Sequence, residues 1–588
     1  MFAKLTESLM QPVAHRRWQQ RLPEPPDPHL VDLFSQSLNI TPLAAHLLLQ
    51  RNILTLEDAR YFLQASLSLL PDPELLPQMT VACERLYRAL IHQEKIAIHG
   101  DYDVDGISGC ALLVEILRNL GADVEYHIPL RLAEGYGLSA EAIRGAAQRG
   151  CTLLVSVDCG VSAHAEAELA QELGLDLIIT DHHQPGTTLP VCLALINPHL
   201  PVSDFPYQDL SGVGVAFFLM AGLRRYLRNR GYFATFAEPD LRCCLDLVAL
   251  GTIADIVPLT GVNRILVRAG LRLLNTDERN GIRALKTVAG VKEVTCGAVG
   301  FRLAPRLNAA GRLEDAALGV KLLLENEQAQ LNALAATLDE FNRERQALEQ
   351  KTLDEAIACI EEQNSPQRRS IVLAAAGWHS GVIGIVASRL VERYHRPVVL
   401  IALTDDGLGK GSARSVRGFH LYQALHQCAE LLDGFGGHAM AAGLTIGESQ
   451  LDAFISRFEE VATAGLTDEQ LQPVLWHDGE KGLDVWSSQV VRELDSLGPF
   501  GAGNPQPSFV SSGCRVQHQR IVGQSHVRME VTQNGAQCSA IAFGMAPRMD
   551  ELTGLIDVLY RPVINSWQGK ESVQLQIVDV RSSQNKGS

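Results

Sequence analysis

KIAIHGDYDVDG, residues 95–106, is a short apolar run that ends in three aspartates at alternate positions, Asp101, Asp103 and Asp105. KIAIH is strand-like, and a helix-like stretch follows from Ser108 to Leu120. The pattern then repeats. DVEYHI (123–128), TLLVSV (152–157) and DLIIT (176–180) read as strands, separated by helix-like stretches from Ser139 to Gln148 and from Ser162 to Leu173. Strands that alternate with helices predict a doubly wound parallel sheet. In such sheets ligands bind beyond the carboxyl ends of the strands.

Those ends carry the chemistry. Crowding Asp101, Asp103 and Asp105 into one turn costs Coulomb energy unless a cation offsets it. SVDCG puts Asp158 at the end of an apolar strand, and IITDHH puts Asp181, His182 and His183 at the end of the next. LVALGTIADIVPL sets Asp255 in an otherwise apolar segment, where an unpaired carboxylate is expensive. Each alone reads equally well as a cap or a satisfied core residue. Together they have the composition of a two-metal site. Two divalent ions ~3.5–4 Å apart activate water and stabilise both oxygens of a phosphoryl displacement. Mixed carboxylate and imidazole ligands suit Mn²⁺ better than Mg²⁺.

Working outward, 588 residues exceed what one core can organise, and about three or four domains are expected. Residues 1–75 read as a helical lead-in, with two short helices in TPLAAHLLLQRNILTLEDARYFL before the break at Pro71, Pro73 and Pro77. Residues 76–319 hold the α/β sheet. Residues 320–365 lack Gly and Pro, carry Leu331, Leu334, Leu338 and Phe341 at helical spacing, and read as a long connecting helix. Residues 366–471 form a second, smaller α/β pattern with a Gly-rich turn at GGHAMAAG. Residues 472–588 turn to strands, with Asn534-Gly535 marking a hairpin, and suit an OB-type β-barrel.

Composition excludes little. Net charge is −16, which argues against a uniformly basic nucleic-acid surface but leaves room for a local groove. No membrane span or secretory signal is legible, so a cytoplasmic location is expected. The 12 cysteines are scattered without a C-x-x-C pair. Cys243 and Cys244 are adjacent in an apolar segment and read as buried reduced thiols.

The order DYDVDG, VDCG, DHH and GTIADIVPL resembles the DHH phosphoesterase family, from about Ile96 to Val580. The resemblance implies metal ligands His99, Asp103, Asp105, Asp158, His182 and Asp255 for two divalent ions, Mn²⁺ or Mg²⁺, with Asp158 bridging. Asp101 and Asp181 would shape the turn or support the ligands. Asp158, His182 and His183 would be catalytic, His183 contacting the scissile phosphate or protonating the leaving oxygen. PLRLAEGYGLS (129–139), SGVGVAFFLM (211–220) and PRLNAAGRLEDA (305–316) are similar to the single-strand exonucleases of that family. So are GSARS (411–415), GGHAMAAG (436–443) and LGPFGAGNPQPSF (497–509). That likeness implies a DHH catalytic domain, a DHHA1-type substrate-binding domain and an OB-fold. It also implies a substrate-binding set of Arg131, Ser412, Arg414, His438, and Arg306 or Arg312.

The implied activity is 5′-to-3′ hydrolysis of single-stranded DNA to 5′-mononucleotides, in DNA recombination and repair. The implied partners are a 5′-phosphorylated strand, single-strand-binding protein and a helicase; oligomeric state is open, with a monomer the default expectation. Downstream nucleotides would lie on the barrel, with Arg515, Arg520, Arg528, Tyr560, Arg561, Trp567 and Lys570 as candidates. Two other readings share the scaffold: a phosphoesterase of oligoribonucleotides or cyclic dinucleotides, and a non-catalytic DNA-binding subunit. The region after Gln472 opposes the first, and the full acidic and histidine set opposes the second.

Overall fold

The computed structural model describes residues 16–130, 134, 135, 137–363, 365, 367–567 and 569–583. They form two units: Thr55–Glu344 with Ser496–Gln506, and the residues up to Leu54 with Arg345–Asp495 and those from Pro507 onward.

The first unit is built on a five-stranded, wholly parallel sheet. Its strands run in the order Asp123–His127, Lys95–Gly100, Cys151–Val157, Asp176–Thr180 and Ala194–Ile196. Alternation along each strand decides which core a side chain joins. Ile96, Ile98, Leu153, Val155, Val157 and Ile178 enter one core, with residues of helices Met79–His92, Val104–Asn119, Gly212–Asn229 and Leu245–Ala254. Ala97, Leu154, Leu177, Ile179 and Leu195 enter the other, with residues of helices Ala140–Gln148 and His164–Glu172. The sheet is therefore doubly wound, as its sequence pattern predicts. Strand order reverses between Lys95–Gly100 and Cys151–Val157, and the crevice above such a reversal is where these sheets bind ligands.

The second unit holds a mixed five-stranded sheet and a closed five-stranded barrel. In the mixed sheet Ile371–Ala376 and Val398–Leu403 are parallel, and Leu408–Arg414, Ala441–Gly447 and Gly434–Gly437 continue it antiparallel. The barrel strands are Phe509–Val522, His526–Gln533, Ala536–Ala542, Lys570–Ser582 and Leu555–Trp567. Asn534 and Gly535 turn its tight hairpin with φ of 49° and 86°, the paired left-handed geometry that Asn-Gly favours. Tyr560 is fully buried, its hydroxyl bonded to Trp486 and Ser511, so it belongs to the barrel core and offers no face for a base.

Two further differences from the sequence reading have physical causes. The lead-in is not purely helical: Arg17–Gln20 is a strand, paired in parallel with Val474–His477. Four residues whose partner lies far along the chain leave no local signal. The connecting helix is divided. A helix Ala317–Leu324 ends before Glu325, whose carboxylate accepts from the N–H groups of Asn326 and Glu327, each at 2.8 Å. The 36-residue helix Gln328–Gln363 then carries the chain from one unit to the next. Leu331, Leu334, Ala335 and Leu338 join the first unit's core, whereas Ala356 and Ile357 pack with Leu373, Val386 and Leu400. Among the described residues no helix is long and apolar enough to cross a membrane.

Candidate metal centre

Three sheet ladders each continue one step past the strand ends, and the residue that takes that step is an aspartate. The N–H of Asp101 donates to Val157 O, that of Asp158 to Thr180 O and that of Asp181 to Ile196 O, at 3.3, 3.0 and 3.1 Å. Three carboxylates are thereby aligned along the top of the sheet. Asp158 holds a left-handed backbone, φ 63°, a conformation that costs energy in a non-glycine residue and recurs at functional sites.

Helix Val104–Asn119 starts in the same crevice. Asp103 caps it, one carboxylate oxygen accepting from the N–H groups of Asp105 and Gly106 at 2.9 and 3.2 Å. Asp105 is buried and accepts from Gly212 N at 2.6 Å and Val213 N at 2.9 Å. These are the first N–H groups of helix Gly212–Asn229, where the helix dipole favours an anion. This explains the SGVGV motif: its backbone holds Asp105, and its glycine lets Asp158 approach. Asp255 ends helix Leu245–Ala254 on the far side. Asn308, from PRLNAAGRLEDA, accepts from Val104 N at 3.1 Å and braces the DYDVDG turn.

The ligand-type atoms gather in three overlapping groups, each with its atoms within 4.8 Å of one another: Asp101, Asp103 and Asp158; Asp105, His182 and Asp255; and Asp158, His182 and His183. His182 Nε2 lies 3.0 Å from Asp158 Oδ1, 3.5 Å from Asp255 Oδ2 and 3.9 Å from Asp105 Oδ2. Asp101 belongs to the cluster, beyond the turn-shaping part the sequence suggested for it. His99 falls outside these three groups. Its Nε2 sits 3.0 Å from Gly137 O, while its buried Nδ1 has no hydrogen-bond partner among the described residues. The tautomer that donates to Gly137 O leaves Nδ1 with a lone pair, the arrangement a metal-binding histidine needs.

Electrostatics points the same way. Burial, then the neighbouring carboxylates, pushes the carboxyls of Asp105 and Asp158 well above the usual range. Burial, then Asp103, pushes Asp255 up to about 7. Burial pulls His99 and His182 down to about 4, so both imidazoles are neutral near pH 7 and able to ligate. Carboxylates that repel one another in a buried crevice, interleaved with neutral imidazoles, are a donor set that a divalent cation completes.

His183 is held differently. Burial alone would lower it, but the Asp181 carboxylate, 2.7 Å from its Nδ1, raises it to about 9. Asp181 also accepts from the N–H groups of Val161, His182 and His183, so it organises the loop that presents both histidines. Asn197, which the sequence reading missed, donates to His183 O at 2.8 Å. A lone asparagine after a three-residue strand carries no signal of that role.

The remaining residues of interest are dispersed. Arg131 lies outside the described residues. Arg306 donates from Nε to Asp339 Oδ1 at 2.9 Å and from Nη1 to Arg302 O at 2.5 Å, a bracing arrangement. Arg312 is in the last turn of helix Ala304–Leu313. Ser412, Arg414 and His438 belong to the other unit. There Arg414 Nη1 donates to Ser412 Oγ at 3.1 Å, and His438 is exposed in the turn between two strands, its N–H on Ala441 O.

Comparison with known proteins agrees with this architecture. Residues 95–252 match the model of the DHH family, N-terminal domain, residues 368–464 that of the DHHA1 domain, and residues 477–579 that of the RecJ OB domain. The single-stranded-DNA-specific exonuclease RecJ of Dickeya dadantii (strain 3937) is 41% identical over 557 residues, covering 92% of this chain and 96% of the relative. The chain belongs to the RecJ family. RecJ from Thermus thermophilus in complex with Mn²⁺ superimposes with a TM-score of 0.82 at 32% identity, over 98% of this chain and 80% of that one. The RecJ–Mg²⁺ complex from the same organism gives 0.76 at 31% identity, over 97% of this chain and 79% of that one.

Proposed function

We propose that this RecJ-family chain is an exonuclease that hydrolyses single-stranded DNA from its 5′ end, releasing 5′-mononucleotides, at a centre holding two divalent metal ions. The observation that carries the reading is the convergence of Asp101, Asp103, Asp105, Asp158, Asp255 and His182 in the crevice where strand order reverses. Asp103, Asp105, His182 and Asp255 would hold the ions with Asp158 shared between them, and His99 would add its Nδ1 lone pair. When bound, the ions supply Lewis-acid polarisation of the phosphoryl group and activation of water.

The chain's own groups do the rest. Asp181 fixes the imidazole of His183 and keeps it protonated, so that a proton is held at Nε2 for the departing 3′-oxygen. Ser412 and Arg414 would receive the 5′-phosphate, because a guanidinium and a hydroxyl are donors suited to an anion; Arg131, and Arg306 or Arg312, are the further candidates for phosphate contact. Each cleavage leaves a new 5′-phosphate, so the shortened product is again a substrate. The barrel would grip downstream nucleotides, and repair and recombination, alongside single-strand-binding protein and a helicase, are the setting this activity fits. Mn²⁺ is expected to bind more tightly than Mg²⁺ because imidazole is among the ligands.

The test is digestion of end-labelled single- and double-stranded DNA with and without Mn²⁺. The expected result is mononucleotides released from the 5′ end of the single strand only, and faster from a 5′-phosphate than from a 5′-hydroxyl. Release from the 3′ end, or internal cuts, would refute it.

A further inference from the structure

A second group of metal-binding atoms lies in the first unit, away from the acidic crevice. Glu115 stands near the end of helix Val104–Asn119, and Cys243 and Cys244 close the turn Leu241–Cys244 that leads into helix Leu245–Ala254. Their ligand atoms all lie within 4.8 Å of one another. The two sulfurs are 3.7 Å apart, and Cys244 Sγ is 3.8 Å from Glu115 Oε1. With zinc–sulfur bonds of about 2.3 Å and zinc–oxygen bonds of about 2.1 Å, the edges of a tetrahedral site are ~3.8 Å between sulfurs and ~3.6 Å between sulfur and oxygen. Two of the three edges thus already stand at ligand separations, and the third, Cys243 to Glu115, lies within 4.8 Å. The expectation of two buried reduced thiols fails on burial for Cys243, which is exposed and gives an ion a path in.

The surroundings hold the group in shape. Arg279 donates from Nη1 to Glu115 Oε2 at 2.5 Å, from Nε to Asp246 Oδ2 at 2.6 Å and from Nη2 to the Cys243 carbonyl at 3.3 Å. Glu115 is therefore oriented through one oxygen while Oε1 faces Cys244. Outer contacts of this kind position the ligands of metal sites.

We propose that Cys243, Cys244 and Glu115 form a site for a soft divalent cation of the Zn²⁺ or Cd²⁺ type, distinct from the Mn²⁺-type centre. Thiolates select such ions, whereas the oxygen-rich crevice selects harder ones. Coordination replaces each S–H bond with a metal–sulfur bond and releases the thiol protons to solvent. The ion would join the end of the helix that begins with Asp103 and Asp105 to the start of the helix that ends at Asp255.

The test is titration of the metal-stripped full chain with Cd²⁺ under saturating Mn²⁺, followed by the ultraviolet difference absorption of cadmium–thiolate charge transfer, which carboxylate and imidazole ligands do not produce. The expected result is a band that saturates at one Cd²⁺ per chain and is absent in Cys243→Ser. That variant alters an exposed side chain and should keep its fold and its Mn²⁺-dependent activity. Glu115→Gln should retain the band but need about tenfold more Cd²⁺ or greater to reach it. No saturable band, a band that survives Cys243→Ser, or an unchanged affinity in Glu115→Gln would overturn the site.

Discussion

A Cβ built on Gly212 would lie 2.5 Å from the Cβ of Asp158 and 2.6 Å from its Oδ1. Nothing flexible can yield there, because Asp158 is fixed by its own left-handed backbone and by the sheet. Gly212→Ala should therefore cost ~1–3 kcal/mol of stability and displace Asp158, so that Mn²⁺-dependent cleavage falls further than folding does. Parallel denaturant melts and cleavage rates check this, and full activity in the variant would contradict it. Asp181 is the complementary case, since it supports the site through His183 and the loop. Asp181→Asn should slow single-turnover cleavage by ~10–100-fold with binding of single strands unchanged. Sequence made the acidic residues legible at this scale because each interrupts or ends an apolar run. It did not separate Asp101 from Asp181. Both are aspartates at strand ends, and only the packed structure shows that Asp101 faces the cluster while Asp181 spends its oxygens on N–H groups and His183.

Among the elements, short apolar runs alternating with helix-like stretches made the parallel sheet legible, and Asn534-Gly535 did the same for the barrel hairpin. The segment 496–506 was less transparent. Its motif is similar to a lead into the barrel, yet it packs with the catalytic unit. Leu259 N donates to Ala502 O at 2.7 Å, and Asn504 Nδ2 donates to the carbonyls of Leu497 and Pro499, both at 2.9 Å. Arg264, fully buried, donates to Phe62 O at 2.9 Å and Leu497 O at 2.7 Å, with its guanidinium 3.7 Å from the Phe62 ring centroid. No periodicity reveals such a link, because an arginine among the apolar residues of helix Gly261–Leu274 reads as surface. Arg264→Leu takes the guanidinium donor from the Phe62 carbonyl and one of two donors from Leu497 O, which keeps Asn504 Nδ2, at ~1–3 kcal/mol for a buried carbonyl left unpaired. The expected outcome is about 1–3 kcal/mol lower stability and proteolysis within 496–506. A melt unchanged from wild type would show that the segment is held by other means.

For the whole molecule, the placement of 496–506 changes where the chain can be cut. A chain ending at Gln506 keeps the segment against Leu259 and Arg264, next to Asp255, and should still cleave short strands while losing affinity for long ones. A chain ending at Gln472 lacks that support and should lose activity on both. Equal behaviour of the two truncations, compared by cleavage of a short and a long 5′-phosphorylated strand, would contradict this division. Net charge of −16 gave no hint of a nucleic-acid substrate, since the groups that matter are local and few.

Four aspartates and two histidines, converging above one parallel sheet, are proposed to hold a pair of ions. Calorimetric titration of the full chain with Mn²⁺ tests this most directly. Two ions per chain are expected, falling to one or none in Asp158→Ala together with a loss of cleavage of about 10³-fold or more. No Mn²⁺ bound by the wild type, or two ions still bound by Asp158→Ala, would contradict it.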